Sequence, residues 1–175
     1  MTQLPPIYIH GLESGPHGSK ATYVRERFAG SAPAMPSRYE GHRRRPECFE
    51  PSVEVAAAHV RERGASILVG SSFGGAVTMA LLQRGVWRGP VVLLAPAIAL
   101  YELDLVLPEG CSAIVIHDPA DDIVPYEGME AFVRANPDRA ELWASTGGHR
   151  LSTIIERGVL ARAIERQMLV ARGEG

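Results

Sequence analysis

The stretch that decides the fold is ILVGSSFGG, at residues 67–75. A short apolar run leads directly into the pattern Gly-x-Ser-x-Gly at residues 70–74, and small and apolar residues at helical spacing follow. This order predicts a buried strand, a sharp turn and a helix. The flanking glycines remove side chains that would collide within the turn. The central serine, Ser72, is then expected above the sheet at a helix N-terminus.

Composition and charge narrow the class of protein around this stretch. The chain has 175 residues, of which 46% are hydrophobic and 22% charged, as in an ordinary globular protein. This length predicts a single domain over residues 1–175, with residues 171–175 as a frayed tail. The net charge of −2 gives no reason to expect nucleic acid or an anionic membrane as a partner. Nothing in the sequence indicates the oligomeric state.

The two cysteines and the apolar runs bear on location. Cys48 and Cys111 have neither the number nor the spacing of a disulfide framework or a metal site. The N-terminal residues do not resemble a signal peptide, and no apolar run approaches the roughly 18 residues that a membrane span needs. We therefore expect a cytoplasmic protein, and the cysteines predict no metal site.

Strand and helix patterns alternate along the chain. The predicted strands are residues 7–9, 32–36, 65–69, 90–94, 113–116 and 139–144. The predicted helices are residues 19–29, 51–63, 75–84, 125–135 and 151–170, with an irregular helix within residues 97–110. The strands are mostly apolar throughout, which predicts an α/β fold of about six mostly parallel strands with helices on both faces. Residues 32–36 are the weakest strand candidate, because their two prolines confine them to a sheet edge.

Residues whose side chains can take part in catalysis follow several of these strands. Ser72, Asp121 and His149 each come just after a predicted strand, and ligand sites lie at the carboxyl ends of parallel strands. A serine hydroxyl needs a base to become a nucleophile, and the base needs an orienting acid. The order serine, aspartate, histidine along the chain is typical of one class of such triads. Alternatively, His149 is an ordinary loop histidine and the acidic loop caps the helix that follows it.

Backbone donors for a developing negative charge are also predicted. The N–H of Phe73 follows the turn serine directly. The N–H of Leu12 follows Gly11 in the loop after the first strand, where the missing side chain lets the backbone come close. The alternative is that Gly11 belongs to an ordinary turn.

Four segments together resemble the α/β-hydrolase superfamily: residues 10–12, 70–74, 121–125 and 147–149. Residues 10–21, HGLESGPHGSKA, further resemble the loop of the small bacterial YqiA/YcfP-like esterases. The resemblance implies a minimal α/β-hydrolase fold, which would lack the two N-terminal strands of larger members. The segment between the strands at residues 90–94 and 113–116 is too short for a large lid.

The same resemblance implies an activity. Ser72 would be the nucleophile, Asp121 the acid and His149 the base, with the amides of Leu12 and Phe73 as the oxyanion hole. The chain would hydrolyse carboxylic esters or thioesters of short to medium acyl groups, with a small molecule as substrate and no cofactor. Two alternatives stay open: an acyltransferase that uses the same triad, and a binding protein that has this fold without catalysis.

Other aspartates and the substrate contacts are less determined. Asp118, Asp122 and Asp104 compete with Asp121 for the role of the acid. From their loop positions, the side chains expected to line an open, shallow site are Leu12, Tyr23, Phe49, Ile98 and Tyr101. A basic run, Arg43, Arg44 and Arg45, is expected either to be a solvated loop or to bind an anionic group of the substrate, such as that of an acyl-CoA.

Overall fold

The architecture is a five-stranded parallel sheet with helices on both faces. The computed structural model describes residues 3–36 and 46–174. The strands are β1 (Ile7–Ile9), β2 (Leu68–Ser71), β3 (Pro90–Leu94), β4 (Ser112–His117) and β5 (Ala140–Ala144). They lie side by side in the order β1-β2-β3-β4-β5, and every neighbouring pair is parallel. All carboxyl ends therefore lie along one edge of the sheet, where the loops of the site meet.

Helices cover both faces of the sheet. They are α1 (Ser19–Phe28), α2 (Phe49–Arg63), α3 (Phe73–Gln83), α4 (Tyr126–Ala135) and α5 (Val159–Ala171). Helices α2, α3 and α4 contribute buried side chains to one core, and α1 and α5 contribute to the other. The prediction of a mostly parallel sheet covered on both faces is confirmed.

The strands are apolar throughout because each face of the sheet has its own core. Along β3, Val91 and Leu93 point into the core under α3, while Val92 and Leu94 point into the core under α5. All four side chains are fully buried. Since neither face meets water, no alternation of polar and apolar residues is required.

The candidate strand at residues 32–36 is corrected by the structure. Ser31 forms a single parallel bridge to Ile7, and the chain leaves the sheet edge directly afterwards. Pro33 and Pro36 lack the backbone N–H that a longer ladder would need. The described residues therefore hold five strands.

Two helix predictions are also corrected. Within residues 97–110 there is a single 3₁₀ turn, Ile98–Tyr101, rather than an irregular helix. The predicted helix over residues 151–170 begins only at Val159, because residues 149–158 form successive turns that end at Gly158 with φ of 66°. The whole connection from β3 to β4 is described and contains no lid.

Within the described ranges, no helix is long and apolar enough to cross a membrane. Arg43, Arg44 and Arg45 lie outside the described residues.

Candidate active site

Ser72 alone makes the turn between strand and helix. Strand β2 ends at Ser71 and helix α3 begins at Phe73. Ser72 adopts φ of 53° and ψ of −113°, a region that L-residues rarely occupy. A Cβ at Gly74 would overlap the carbonyl oxygen of Ile9 and lie 2.6 Å from that of His10. The glycine therefore lets α3 start directly against β1, and this contact holds the turn in place.

A continuous chain of hydrogen bonds begins at Ser72. Its Oγ lies 2.7 Å from Nε2 of His149, and Nδ1 of His149 lies 2.9 Å from Oδ2 of Asp121. A carboxylate only accepts, so Nδ1 carries the imidazole proton and Nε2 accepts from the serine hydroxyl. The structure thus brings together the serine, histidine and aspartate that the sequence singled out, from the ends of β2, β5 and β4.

The Asp121 carboxylate is buried and held from several sides. Its side chain has no exposed surface. Its Oδ1 accepts the backbone N–H groups of Ile123 at 2.8 Å and Val124 at 2.9 Å. Burial alone raises the pKa of the Asp121 carboxyl. Hydrogen bonds from the Val124 N–H, from His149 and from the Ile123 N–H outweigh the burial and hold the pKa below its ordinary value. Asp121 therefore stays ionised beside the imidazole.

A second histidine, His117, lies against the same carboxylate. Its side chain is fully buried, and Nε2 donates to the carbonyl of Val124 at 2.8 Å while lying 3.4 Å from Oδ2 of Asp121. Its Nδ1 has no hydrogen-bond partner among the described residues. Burial lowers the pKa of His117 below its ordinary value. A neutral ring thus presents an N–H next to the acid. No pattern in the sequence predicts this role for His117, which stands four residues before Asp121.

Asp118 fastens the loop that contains the histidine. Its Oδ1 accepts the N–H of Ala120 at 2.8 Å, and its Oδ2 accepts the N–H of Gly148 at 2.7 Å. Gly148 directly precedes His149, so this hydrogen bond ties the loop at residues 118–125 (the acid loop) to the loop at residues 145–158 (the histidine loop). The sequence offers Asp118 only as an alternative acid, whereas in the structure it contacts the backbone beside the histidine.

The other two candidate acids lie elsewhere. Asp122 is exposed, and Asp104 accepts the N–H of Val106 in the loop after β3. Within the described part of the chain, the carboxylate that contacts the imidazole of His149 belongs to Asp121.

Two backbone N–H groups flank the serine. A Cβ at Gly11 would lie 3.3 Å from the carbonyl oxygen of Ser71 and 3.7 Å from Cβ of Ser72, so the loop after β1 packs against the turn. His10 steadies this loop: its Nδ1 donates to the carbonyl of Gly11, and its Nε2 accepts from Met35 N. Within the described residues, neither the N–H of Leu12 nor that of Phe73 donates to another group. Both donors are therefore available to a ligand.

The serine and the histidine open into a cleft of about 660 Å³. Its apolar wall is formed by Leu12, Leu100, Tyr101, Ile123, Leu151 and Ile155. Lys20, Arg150 and Glu13 supply its charged groups. Leu100 and Ile123 are 41% and 47% exposed, so an apolar rim faces solvent at the mouth.

Besides Leu12, four side chains were expected to line the mouth of the site. Of these, only Tyr101 lines the cleft. Phe49 is buried behind it, with its ring stacked on Tyr101 at 4.6 Å between centroids. Ile98 is fully buried in the core. Tyr23 packs its ring edge against Phe28 on α1. Loop position alone did not distinguish an inward from an outward side chain.

No group of three or more His, Cys, Asp or Glu side chains in residues 3–36 and 46–174 is arranged to hold a metal ion. Cys48 and Cys111 are free thiols.

Solved structures with the same architecture are numerous. A protein of Xanthomonas campestris pv. campestris placed in the alpha/beta hydrolase superfamily matches with a TM-score of 0.80 and 20% identity, over 97% of this chain and 99% of that one. Mouse alpha/beta hydrolase domain-containing protein 10 matches with a TM-score of 0.76 and 17% identity, over 93% and 88% of the two chains. Est1E from Butyrivibrio proteoclasticus matches with a TM-score of 0.72 and 17% identity, over 98% and 89%. These likenesses confirm the α/β-hydrolase fold.

Among curated proteins, none matches this chain at a significant level. Residues 6–149, which extend from just before β1 to the histidine of the site, match the family model described as an uncharacterised protein family, UPF0227. The chain therefore belongs to the UPF0227 family, and within it has the α/β-hydrolase fold.

Proposed function

We propose that this protein is a serine hydrolase that cleaves carboxylic esters or thioesters of short to medium acyl groups. The observation that supports this most strongly is the hydrogen-bond chain from Ser72 through His149 to Asp121, with distances of 2.7 and 2.9 Å. It opens into a cleft flanked by two available amides. A loop histidine without a chemical role would not need a buried, ionised partner on one nitrogen and a serine in a strained turn on the other.

The proposed reaction begins at the serine. Ser72 Oγ attacks the carbonyl carbon of the substrate while its proton passes to Nε2 of His149. The carbonyl oxygen becomes an oxyanion, which accepts hydrogen bonds from the amides of Leu12 and Phe73. The positive end of α3, which starts at Phe73, favours the same negative charge.

The two remaining steps return the site to its starting state. The bond from the carbonyl carbon to the leaving oxygen or sulfur breaks, and the leaving group takes the proton from His149. Water then attacks the acyl-enzyme and gives a proton to His149, which returns it to Ser72 Oγ as the acid is released. Asp121 keeps the proton on Nδ1 and stabilises the imidazolium.

The shape of the cleft supports short to medium acyl groups as substrates. Its rim residues Leu100 and Ile123 offer apolar surface at an open mouth, and the connection from β3 to β4 provides no lid. A hydrocarbon chain of a few carbons can lie on this wall, whereas a long chain would extend into solvent.

The test is covalent labelling with a fluorophosphonate probe, together with hydrolysis of p-nitrophenyl esters from acetate to hexanoate. We expect the wild type to be labelled and to release the free acid, and Ser72→Ala to do neither. Release of the free acid separates hydrolysis from acyl transfer to another acceptor. A wild-type protein that is neither labelled nor active would overturn the proposal and leave a binding protein with this fold as the alternative.

The choice of acid has its own test. Asp121→Asn is expected to lower kcat by about 10³–10⁴-fold, because the amide cannot hold the imidazole in the required tautomer. Asp122→Asn is the matched control at an exposed neighbouring position and is expected to stay close to wild type. A comparable loss only in the Asp122 variant would assign the acid to that residue.

A further inference from the structure

Lys20 is distinctive in the sequence. The chain contains 18 lysine and arginine residues, and Lys20 is the only lysine among them. The sequence therefore uses arginine wherever else it places a permanent positive charge. A lysine ammonium differs from a guanidinium in being compact and in pointing three donors freely around one atom.

The structure places this lysine in the catalytic cleft. Lys20 is the second residue of α1 and lines the same cleft as Ser72 and His149. Its Nζ donates to the carbonyl of Arg150 at 2.6 Å. Arg150 directly follows His149, so the ammonium lies against the loop that contains His149. One of its three donors is used in this contact, and two are available to a ligand.

The ammonium has no carboxylate partner in the described part of the chain. Glu13, the acid that lines the same cleft, is paired with Nη2 of Arg150 at 2.9 Å. Partial burial and, after it, the nearby positive charge of Arg150 lower the pKa of Lys20 below its ordinary value. A cation that is partly desolvated beside a second cation is electrostatically uncompensated, and an anionic ligand would compensate it.

The surroundings of Lys20 reinforce this positive potential. Helix α1 begins beside the cleft, its N-cap Gly18 offers no side chain to its first N–H groups, and its first turn contains no acid. The wall formed by Leu12, Leu100, Tyr101 and Ile123 is by contrast apolar. The cleft therefore combines an apolar wall with a cationic group.

We propose that the substrates are esters or thioesters that bear an anionic oxygen group, a carboxylate or a phosphate, which the Lys20 ammonium binds beside the reacting centre. This inference rests on the proposed hydrolase function for its kinetic test, but not for its binding test. Lys20 is a specificity residue, and its contact with the Arg150 carbonyl also orients the ammonium.

The kinetic test uses pairs of substrates that differ in charge. Mono-p-nitrophenyl adipate is compared with p-nitrophenyl hexanoate for a carboxylate on the acyl side. Butyryl-CoA is compared with S-butyryl-N-acetylcysteamine for phosphate on the leaving side. The readout is the ratio of kcat/KM for the anionic member to that for the neutral member. A looser histidine loop would lower kcat/KM for both members of a pair and leave their ratio unchanged. A merely structural role of Lys20 would therefore not change the ratio.

For Lys20→Met we expect this ratio to fall about tenfold or more in at least one pair, the effect of removing a charged hydrogen-bond donor. Lys20→Arg is expected to retain most of the ratio. Arg25→Met is the matched control, because Arg25 is also a cation on α1 that donates to a carbonyl, that of Pro16, but lies outside the cleft. The pair that responds identifies the anion as a carboxylate or a phosphate. An unchanged ratio in both pairs overturns the proposal.

The binding test does not require catalysis. Lysine labelled with ¹³C at Cε gives signals from Lys20 alone, because the chain has one lysine. In the Ser72→Ala variant, we expect this signal to shift and saturate on titration with adipate or with coenzyme A, but not with neutral hexanamide. If the wild type hydrolyses no ester, the hydrolase function fails and this titration still decides the anion site. If neither adipate nor coenzyme A shifts the signal, the anion site is excluded.

Discussion

Ser72 holds a backbone conformation that favours glycine, with φ of 53° and ψ of −113°. Such strain costs on the order of 1–3 kcal/mol. We therefore expect Ser72→Gly to resist unfolding better than Ser72→Ala by about 1 kcal/mol, after allowing for the greater freedom of glycine in the unfolded chain. Urea denaturation of the two variants measures this difference. The alanine variant is the control because it keeps Cβ and removes only the hydroxyl. If it proves the more stable of the two, the turn is not strained.

The residues of the site differed in how far the sequence could predict them. Ser72, Asp121 and His149 could be found because each follows a strand, and parallel strands bring their carboxyl ends together. The contacts of Asp118 and His117 could not be predicted in the same way. The partner of Asp118 is a backbone N–H thirty residues away, and His117 reaches its partners only through the path of the acid loop. Neither kind of contact leaves a pattern in residue types.

At the scale of elements, the acid loop and the histidine loop are joined through Asp118. We expect Asp118→Ala to lower kcat by about tenfold to a hundredfold, because loss of the acceptor for Gly148 N–H lets the adjacent imidazole move from its productive position. Asp118→Asn keeps one acceptor oxygen and is expected to recover part of the activity.

Steady-state kinetics of the two Asp118 variants test this prediction. Asp122→Ala, at an exposed position, is the control. The loss should fall mainly on kcat rather than on KM, since Asp118 does not line the cleft that holds the serine. Full activity in Asp118→Ala would mean that the histidine loop is held by its other contacts.

Two glycines in helices offer a second comparison at this scale. Gly74 lies directly against the backbone of β1. We therefore expect Gly74→Ala to lower the free energy of unfolding by about 1–3 kcal/mol or more, the usual effect of overpacking a core. Gly128 lies in α4, and apart from its chain neighbours and the backbone of its own helix, no atom of the described residues stands within 4 Å of the place that a Cβ would take there. Gly128→Ala should therefore stabilise the protein by up to about 1 kcal/mol through helix propensity. Thermal unfolding tests both. Equal effects of the two substitutions would contradict the close contact between α3 and β1.

The elements that the sequence predicted well include the central strands of the sheet. The strands β2, β3 and β4 are short apolar runs that only a sheet interior accommodates. Residues 151–158 failed as a helix because Leu151 and Ile154 are buried at a helix-like spacing while the backbone forms turns. Apolar spacing reports which side chains are buried, and a turn-rich segment can bury the same ones.

At the scale of the whole molecule, two buried histidines link stability to pH. Burial lowers the pKa of both His10 and His117 in the folded protein. The unfolded chain, where histidine titrates at about 6.5, then binds protons that the folded protein does not. The free energy of unfolding should therefore fall as pH decreases below about 6.5, by at most about 1.4 kcal/mol per pH unit for each histidine.

Urea denaturation between pH 7.5 and about 5 checks this slope, a range chosen to lie above the ordinary titration of carboxyl groups near 4. Asp121 does not interfere, because its lowered pKa adds stability that is lost only below that range. His117→Gln is expected to lower overall stability but to show a shallower dependence on pH. Parallel curves for this variant and the wild type would mean that His117 does not contribute to the linkage.

The strands of the sheet stand side by side in the order in which they are synthesised, β1 to β5. On the ribosome, each new strand can pair at once with the strand before it, and no later strand has to enter between two earlier ones. The turn of Ser72 is complete once the second strand and its helix have emerged, whereas His149 follows the fifth strand. The growing chain can thus cover the sheet face under α2 and α3 before β5 emerges, whereas the face under α5 is covered only after the proposed base has emerged. On this order of events, the nascent chain has folded in part before the proposed nucleophile meets its proposed base.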